Sequence, residues 1–472
     1  MSTRQWIALS CLPFWLVGCA MQMPPSQITA SVPAQWQAQL PHQGVLGDLS
    51  QWWQQTNDPL LVQLIDAAQA VSPSIASAST RIEQARATRV AAGAALLPTL
   101  EASVSASRSN AQLGIPLSTI TSGAVQASWE IDLFGANHAA RDSAQARFEG
   151  AQARWHDARV SVAAEVANQY YALRACEQLL VVTRSDAVSR AETARLAALS
   201  AEAGFQAPAT AALARASAAE GRGRATQQRA LCDIDIKALV ALSAVAEPAL
   251  RAQLALLPGD LSTVGAVPVA SVPAQMLTQR PDVLTAERAV AAASADVGTV
   301  QAQRFPRLSL SGSVGAANFR SGAVATNLST WSIGPLALTL PLFDGGTRAA
   351  NVDAAQARYA EAVVQYRASV RQAVREVEEA LVNLNSIATR GDDVLIAAES
   401  YRTAYNGTES RYRSGLASLV ELEDVRRTRL AAETTLVLLQ RERVAAWIAL
   451  YRAVGGGWTI DRLAANTPDL RP

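Results

Sequence analysis

Three histidines are the residues of this chain best suited to acid–base or metal chemistry. They are His42, His138 and His156, and none has a cysteine or carboxylate at the spacing of a metal site or a catalytic triad. Glu130 and Asp132 stand two residues apart, as paired catalytic carboxylates could, but they continue the polar face of an alternating segment. We therefore predict surface or packing roles for the histidines, a wetted surface for the two carboxylates, no catalytic residue and no metal.

One glycine run, Gly455-Gly456-Gly457, could suggest a phosphate-binding loop. It follows a long helical segment and lacks the neighbouring residues of such a loop, so it predicts the end of a helix. The formal net charge of +1 over 472 residues gives no electrostatic basis for a nucleic-acid partner. We predict no cofactor and no enzymatic activity.

The second cysteine of the chain, Cys19, predicts export and lipidation. Arg4 precedes a short apolar run over 6–17, and Leu16-Val17-Gly18-Cys19 follows it. Small residues before a cysteine are typical of bacterial lipoprotein signals, which predicts a signal peptide over 1–18 and a lipid on Cys19. An ordinary signal peptide with a chance cysteine is the alternative. The residue after Cys19 is Ala20. Because an aspartate at this position would keep a lipoprotein out of the outer membrane, Ala20 favours sorting to the outer membrane.

The rest of the chain contains an internal repeat. Residues 142–155 read DSAQARFEGAQARW and residues 353–366 read DAAQARYAEAVVQY, an offset of 353 − 142 = 211. This repeat is too long for a solenoid and indicates a duplicated domain. The predicted organisation is listed in chain order: a lipidated tether and equatorial segment over 19–58, a first repeat over 59–246, a linker over 247–272, a second repeat over 273–454 and a tail over 455–472.

Each repeat contains two strand-like segments with strict apolar–polar alternation, which predicts a sheet with one apolar and one wet face. They cover 100–107 and 125–133 in the first copy, and 308–314 and 328–342 in the second. In the last segment the parity shifts near Gly334-Pro335, which predicts a bulge or a bend where the strand meets the helical part. Four strands cannot close a membrane β-barrel, so we predict one shared between chains: eight strands in a dimer or twelve in a trimer.

Two helix-forming stretches of exceptional length follow the strands, over 136–203 and 347–414. Each would span about 100 Å at 1.5 Å per residue. Shorter return helices over 208–246 and 417–454 predict long antiparallel hairpins. Each repeat also opens with a helix of about 25 residues, which predicts that the short helices stack end to end beside the long one.

Cys176 and Cys232 lie at equal distances from the turn at Gly204, because (176 + 232)/2 = 204. Residues equidistant from the turn of an antiparallel hairpin lie level with each other. In an oxidising compartment they could form a disulfide; two buried thiols that face each other are the alternative.

The chain resembles the TolC-like outer-membrane efflux proteins, in particular the lipoprotein branch that serves RND-type pumps. Four motifs carry the resemblance through their order and spacing. They are Trp129-Glu130-Ile131-Asp132-Leu133-Phe134-Gly135, Leu340-Pro341-Leu342-Phe343-Asp344-Gly345-Gly346, Arg280-Pro281-Asp282-Val283 and Gly415-Leu416-Ala417-Ser418. With the lipidation signal and the duplication, the resemblance covers essentially residues 19–458.

The resemblance implies a mainly α-helical homotrimer with a 12-stranded barrel in the outer membrane and a helical barrel in the periplasm. It implies a passive efflux duct that partners a periplasmic adaptor and an inner-membrane pump, with Glu130 and Asp132 lining the pore. The adaptor would dock at the hairpin turns, listed as Gly204, Phe205, Gly415, Leu416 and Ser418. The aperture would be narrowed by Asp424 and Glu421 and tethered by Arg411, Tyr412 and Arg413. The first repeat departs here, because Leu213 occupies the position equivalent to Asp424.

Two other functions fit parts of the pattern. The same fold could serve type I secretion or metal efflux. A structural coiled-coil lipoprotein without a conduit would explain the long helices, but it would not need four alternating strands at matching positions in two copies.

Overall fold

The computed structural model describes residues 23–30, 36–38, 52–56, 58–110, 117–256, 261 and 280–457. The predictions for the signal peptide, Cys19 and His42 therefore lie outside the described residues. Within the described part of the chain, no helix is long and apolar enough to cross a membrane. The chain packs as two compact units, each of which takes residues from both repeats.

Nine helices and four strands are described. The helices are α1 (Trp52–Gln55), α2 (Pro59–Val71), α3 (Pro73–Ala94), α4 (Ala136–Glu202), α5 (Pro208–Ser243), α6 (Glu247–Leu256), α7 (Pro281–Ala302), α8 (Thr347–Arg413) and α9 (Leu419–Ala453). The strands are β1 (Thr99–Ser109), β2 (Ser118–Ile131), β3 (Arg307–Ser321) and β4 (Val324–Thr339). The two long helices have 67 residues each, as the sequence predicts.

The first unit contains the sheet and comprises Met1–Gln27, Ala87–Ala146 and Val290–Glu361. Its four strands are antiparallel and lie in the order β1-β2-β3-β4. The register of β3 and β4 shifts between Leu310 and Gly312, opposite Gly334 and Pro335. The predicted bulge is therefore confirmed, and Gly334 accommodates it with a φ of +105°.

An aspartate begins each long helix where the chain leaves the sheet. The Asp132 carboxylate accepts a hydrogen bond from the backbone N–H of His138 at 2.8 Å, and Asp344 accepts from the N–H groups of Gly346 and Arg348 at 3.0 and 3.1 Å. These bonds satisfy amides that a helix start leaves unpaired. Burial raises the pKa of Asp132, but its bonds to His138 outweigh this and lower it below the usual value. Bonds to the Arg348 and Gly346 amides likewise lower the pKa of Asp344.

The second unit comprises Ile28–Arg86, Arg147–Ala289 and Ala362–Pro472. Its main apolar core joins one face of α2 to α4, α5, α6 and α9. The fully buried leucines of this core include Leu61, Leu64, Leu173, Leu239 and Leu250. Asp58 caps α2 by accepting from the N–H of Leu61 at 3.1 Å, and it also accepts from the Tyr170 hydroxyl at 2.6 Å. The linker predicted over 247–272 contains a regular helix, α6, in its described part.

Arg280 belongs to the Arg-Pro-Asp-Val motif and is a buried residue of the second unit with several hydrogen-bond partners. Its guanidinium donates to Asp282 at 2.7 Å, to Glu376 at 2.8 Å and to the carbonyl oxygen of Ala453 at 2.8 Å. Burial lowers the pKa of Arg280, but the two carboxylates outweigh it and raise the pKa above its usual value. This motif therefore fixes the start of α7 against α8 and the end of α9.

Candidate functional site: the tips of the two helical hairpins

The turn between α4 and α5 is closed by backbone hydrogen bonds. Gly204 has a φ of +78°, a conformation that favours glycine, and the N–H of Phe205 donates to the carbonyl oxygen of Ser200 at 2.8 Å. Helix α5 then begins with Pro208, whose missing N–H costs nothing at a helix start. The Phe205 side chain is 86% exposed, so this tip presents an aromatic ring outward.

The turn between α8 and α9 repeats this geometry. Gly415 has a φ of +75°, and the N–H of Leu416 donates to the carbonyl oxygen of Arg411 at 2.8 Å. The Leu416 side chain is 70% exposed. Ser418 caps α9, because its hydroxyl accepts from the N–H of Glu421 at 3.1 Å. The two hairpins therefore end in matching turns, each with one outward apolar side chain.

The carboxylates predicted to narrow the aperture lie on exposed surface beside arginines of their own hairpin. Glu421 accepts from the Arg411 guanidinium at 2.8 Å, and Arg411 also donates to the carbonyl oxygen of Leu416 at 3.2 Å. Asp424 pairs with Arg427, one helical turn further along α9. The structure thus brings Arg411 to Glu421, whereas the partner of Asp424, Arg427, is not one of the predicted tethers.

The other two predicted tethers contact different neighbours. Arg413 pairs with Glu409 on its own helix at 3.3 Å. Tyr412 packs against a small apolar cluster that joins both hairpins in the second unit. The members of this cluster are Ala194, Ala197, Ala214, Ala218 and Leu419.

A buried polar network that was not predicted from the sequence also joins the two hairpins. The Arg426 side chain is 0% exposed; its guanidinium donates to the Thr193 hydroxyl at 2.9 Å and pairs with Glu423. Arg190 pairs with Asp186 at 2.8 Å and with the same Glu423. The i,i+4 and i,i+3 spacings of these charges are visible in the sequence, but such pairs are usually solvated, and only burial distinguishes this set.

Cys176 of α4 and Cys232 of α5 face each other within the second unit. Their Cα atoms are 5.5 Å apart and their sulfurs are joined at 2.13 Å. The separation lies in the range that a disulfide requires. The Gln228 side-chain amide donates to the carbonyl oxygen of Cys176 at 3.4 Å beside the pair.

The two described histidines have structural surroundings. His138 lies beside the Asp132 carboxylate, with Nδ1 at 2.6 Å from an oxygen, so it does have a carboxylate partner, at the helix cap. His156 is buried; burial first, and Arg159 second, lower its pKa to about 4. Among the described residues, no cluster of histidine, cysteine and carboxylate side chains could hold a metal ion.

Two long helical hairpins and a four-stranded antiparallel sheet are the elements of an architecture known from outer-membrane channels. The chain superposes on the structure described as the outer-membrane channel OprN with a TM-score of 0.82 and 28% sequence identity, over 93% of this chain and 98% of that one. It also shares the fold of the Campylobacter jejuni CmeC outer membrane channel, with a TM-score of 0.81 over 94% of this chain and 96% of that one, at 21% identity.

The family model described as outer membrane efflux protein matches residues 64–244 and 272–456, well over half of the chain. The chain therefore belongs to the outer membrane efflux protein family, and it is an efflux channel component rather than an enzyme. It is 29% identical over 462 residues to the pyoverdine export outer membrane protein OpmQ of Pseudomonas aeruginosa, covering 95% of this chain and 96% of that protein. It is 29% identical to the outer membrane protein OprJ of the same species, covering 94% of each chain.

Proposed function

We propose that three copies of this chain assemble into one conduit through which small molecules leave the periplasm. The observation that carries this proposal is the four-stranded sheet, in which β1 and β4 are the edge strands. Edge strands in lipid leave backbone groups unpaired at several kcal/mol each, and about eight strands are needed for closure. Three copies give a twelve-stranded closed sheet with room for a passage, whereas two copies give eight strands and a filled interior.

The hairpin tips are the proposed docking surface for a periplasmic adaptor protein. Phe205 and Leu416 are exposed on turns whose conformations are fixed by Gly204 and Gly415. Exposed apolar side chains on rigid turns lose little conformational entropy on binding, which suits them to an interface. Ser418 takes part by holding the start of α9.

Glu421 and Asp424 are the proposed constriction of the passage. In a trimer each position is repeated three times around one axis, so unpaired carboxylates would repel one another. The Arg411–Glu421 and Arg427–Asp424 pairs supply neutralising charge within each copy. Loss of the carboxylates would leave small side chains and a wider aperture.

Membership of the family supports a location in the outer membrane and a pump as partner. We propose that Cys19 carries a lipid that anchors the chain to the outer membrane and that an inner-membrane pump of the RND type supplies the cargo. Relatives named for the export of pyoverdine, for solvent efflux and for antibiotic efflux support a small organic cargo. Type I secretion and metal efflux are the alternatives within the same fold.

The test uses a bacterial strain that keeps its RND pump and adaptor but lacks its own outer-membrane channel. Expression of this chain should restore tolerance to toluene and to pump-dependent antibiotics. A variant with Phe205→Ser and Leu416→Ser should reach the outer membrane without restoring tolerance. If the wild-type chain is present as a folded trimer but fails with several pump and adaptor pairs, the efflux assignment is wrong.

A further inference from the structure

Two arginines lie side by side at one end of the sheet, on the same face. Arg108 of β1 is in register with Thr119 of β2, and Thr119 is in register with Arg320 of β3. Residues in one row of a sheet project from the same face, so both guanidinium groups point to one side. With two strand spacings between them, their Cα atoms are about 10 Å apart. Both side chains are exposed.

The face that carries the two arginines is the apolar one. Alternation from Arg108 along β1 leads to Ala106, Val104, Ala102 and Leu100. The row next to the arginines is mostly polar, with Ala106, Thr121, Asn318 and Asn327. The rows from Val104 onward are mostly apolar and carry exposed large side chains, which is the pattern of a surface that contacts lipid. Their large members are Leu100, Val125, Trp129, Val314, Trp331, Ile333, Leu336 and Leu338.

The carboxylates of the described strands cannot neutralise this pair. Those strands contain two acidic residues, Glu101 and Glu130, and both alternate onto the opposite face from the arginines. The second described cation of β3, Arg307, also lies on that opposite face and at the other end of the strand. The apolar face therefore ends in two positive charges without a carboxylate among the described strand residues.

The spacing along the strands places the arginines above the apolar band. The rows from Ile131 to Gly123 on β2 span about 27 Å along the strand, or about 21 Å across a membrane at a 40° tilt. This matches the roughly 25 Å height of the lipid-facing band of outer-membrane proteins. The Arg108 row lies four residues beyond Val104, about 10 Å further along the membrane normal. At that depth a side chain meets lipid headgroups.

The leaflet to which these headgroups belong depends on which side of the membrane the arginine end of the sheet faces. Residues 110–117 connect β1 to β2, and Gly322 lies between β3 and β4, at the arginine end; the opposite end leads into the long helices. If the hairpins extend into the periplasm, as the proposed function requires, the arginine end faces the exterior. Lipids of the outer leaflet there carry phosphate groups. Guanidinium groups bind phosphate through paired, charge-assisted hydrogen bonds.

We propose that Arg108 and Arg320 form a binding site for the phosphate groups of the outer-leaflet lipid of the outer membrane. This inference rests on the proposed function for the orientation of the sheet. In a trimer the site is repeated three times, so six arginines surround the outer rim. The apolar rows contact the acyl chains, and the arginines hold the headgroup phosphates and fix the depth of the sheet.

The test measures thermal stabilisation of the detergent-purified full-length protein by added lipid A. Wild-type protein should be stabilised by bisphosphorylated lipid A far more than by lipid A from which the phosphates have been removed, and 0.5 M NaCl should weaken the difference. The Arg108→Gln/Arg320→Gln variant should need about thirty-fold more lipid A for half-maximal stabilisation. Arg307→Gln is the matched control and should behave as wild type.

Three results would overturn the inference. The first is equal stabilisation of wild type by phosphorylated and dephosphorylated lipid A, a result that requires no variant. The second is an unchanged lipid A concentration for half-maximal stabilisation of the double variant. The third is equal stabilisation by inorganic phosphate at the same phosphate concentration. Conductance in planar bilayers separates this inference from the proposed function. A double variant that conducts as wild type but has lost its preference for phosphorylated lipid supports both.

Discussion

Arg426 of α9 and Thr193 of α4 belong to different repeats, and the guanidinium of the first donates to the hydroxyl of the second at 2.9 Å inside the protein. Arg426 is 0% exposed, so its charge is compensated within the network, mainly by Glu423. Removal of one member of a buried ion pair leaves the other charge without compensation, which is far more costly than the loss of an exposed pair. Glu423 also pairs with Arg190 of α4, so a buried ion pair as well as this hydrogen bond holds the first hairpin to the second.

Arg426→Ala should lower the free energy of unfolding by about 1–3 kcal/mol, because the Thr193 hydroxyl and one Glu423 oxygen would lose a buried partner while Arg190 still compensates the Glu423 charge. Arg427→Ala is the matched control. Arg427 is the next residue, its side chain is 80% exposed, and its pair with Asp424 should contribute less than about 1 kcal/mol. Thermal denaturation followed by circular dichroism measures both. Equal melting temperatures for the two variants would show that the network does not hold the hairpins together.

The disulfide should stabilise the first hairpin. Mass spectrometry of the exported protein without reductant should find Cys176 joined to Cys232, which are 56 residues apart. Cys176→Ser/Cys232→Ser should lower the stability by about 2–4 kcal/mol, since the unfolded chain regains the entropy that the cross-link removed. Free thiols in the exported protein, detected by alkylation, would contradict the pairing.

Two glycines of α5 provide a test of packing between α4 and α5. A β-carbon at Gly221 would lie 2.9 Å from Cδ of Arg190 and 3.3 Å from Cα of Ala187, whereas one at Gly223 would contact nothing within 4 Å. Gly221→Ala should therefore destabilise the protein by about 1–3 kcal/mol through overpacking. Gly223→Ala should stabilise it by about 0.5–1 kcal/mol, because alanine is the better helix former. Stabilisation by both substitutions would mean that α4 and α5 are further apart.

His156 should make the protein less stable in mild acid. Its pKa falls from 6.5 in the unfolded chain to about 4 in the folded one, so between these values the unfolded state binds more protons. Stability should therefore decrease as the pH falls from 6.5 towards 4, and His156→Gln should remove part of that decrease. Burial and Asp282 raise the pKa of nearby Asp157, which acts in the opposite direction. Because Asp157 is present in both proteins, the difference between their melting curves isolates His156; a difference independent of pH would contradict the assignment.

The strands and the long helices are predicted well from the sequence because their apolar residues recur at a regular spacing. Alternation identified the sheet and the bulge at Gly334, and the uninterrupted helical pattern placed the end of α8 within one residue of Arg413. Contacts between repeats were not predictable. Nothing in the spacing of Arg426 distinguishes it from its exposed neighbour Arg427, because burial depends on how α9 is rotated against α4. The helix α2 was not predicted as a separate element, although its start signals, Asp58 at the N-cap and Pro59 at the first helical position, are visible in the sequence.

The central claim is that the chain forms a conduit with its constriction at the second hairpin turn, and single-channel conductance in a planar bilayer tests it most directly. The comparison is between wild type, Glu421→Ala/Asp424→Ala and Glu220→Ala, an exposed carboxylate of α5, as control. A small wild-type conductance that rises several-fold in the double variant, but not in the control, is the predicted result. Equal conductance in all three proteins would place the constriction elsewhere. No conductance from folded, trimeric protein of any kind would contradict the conduit itself.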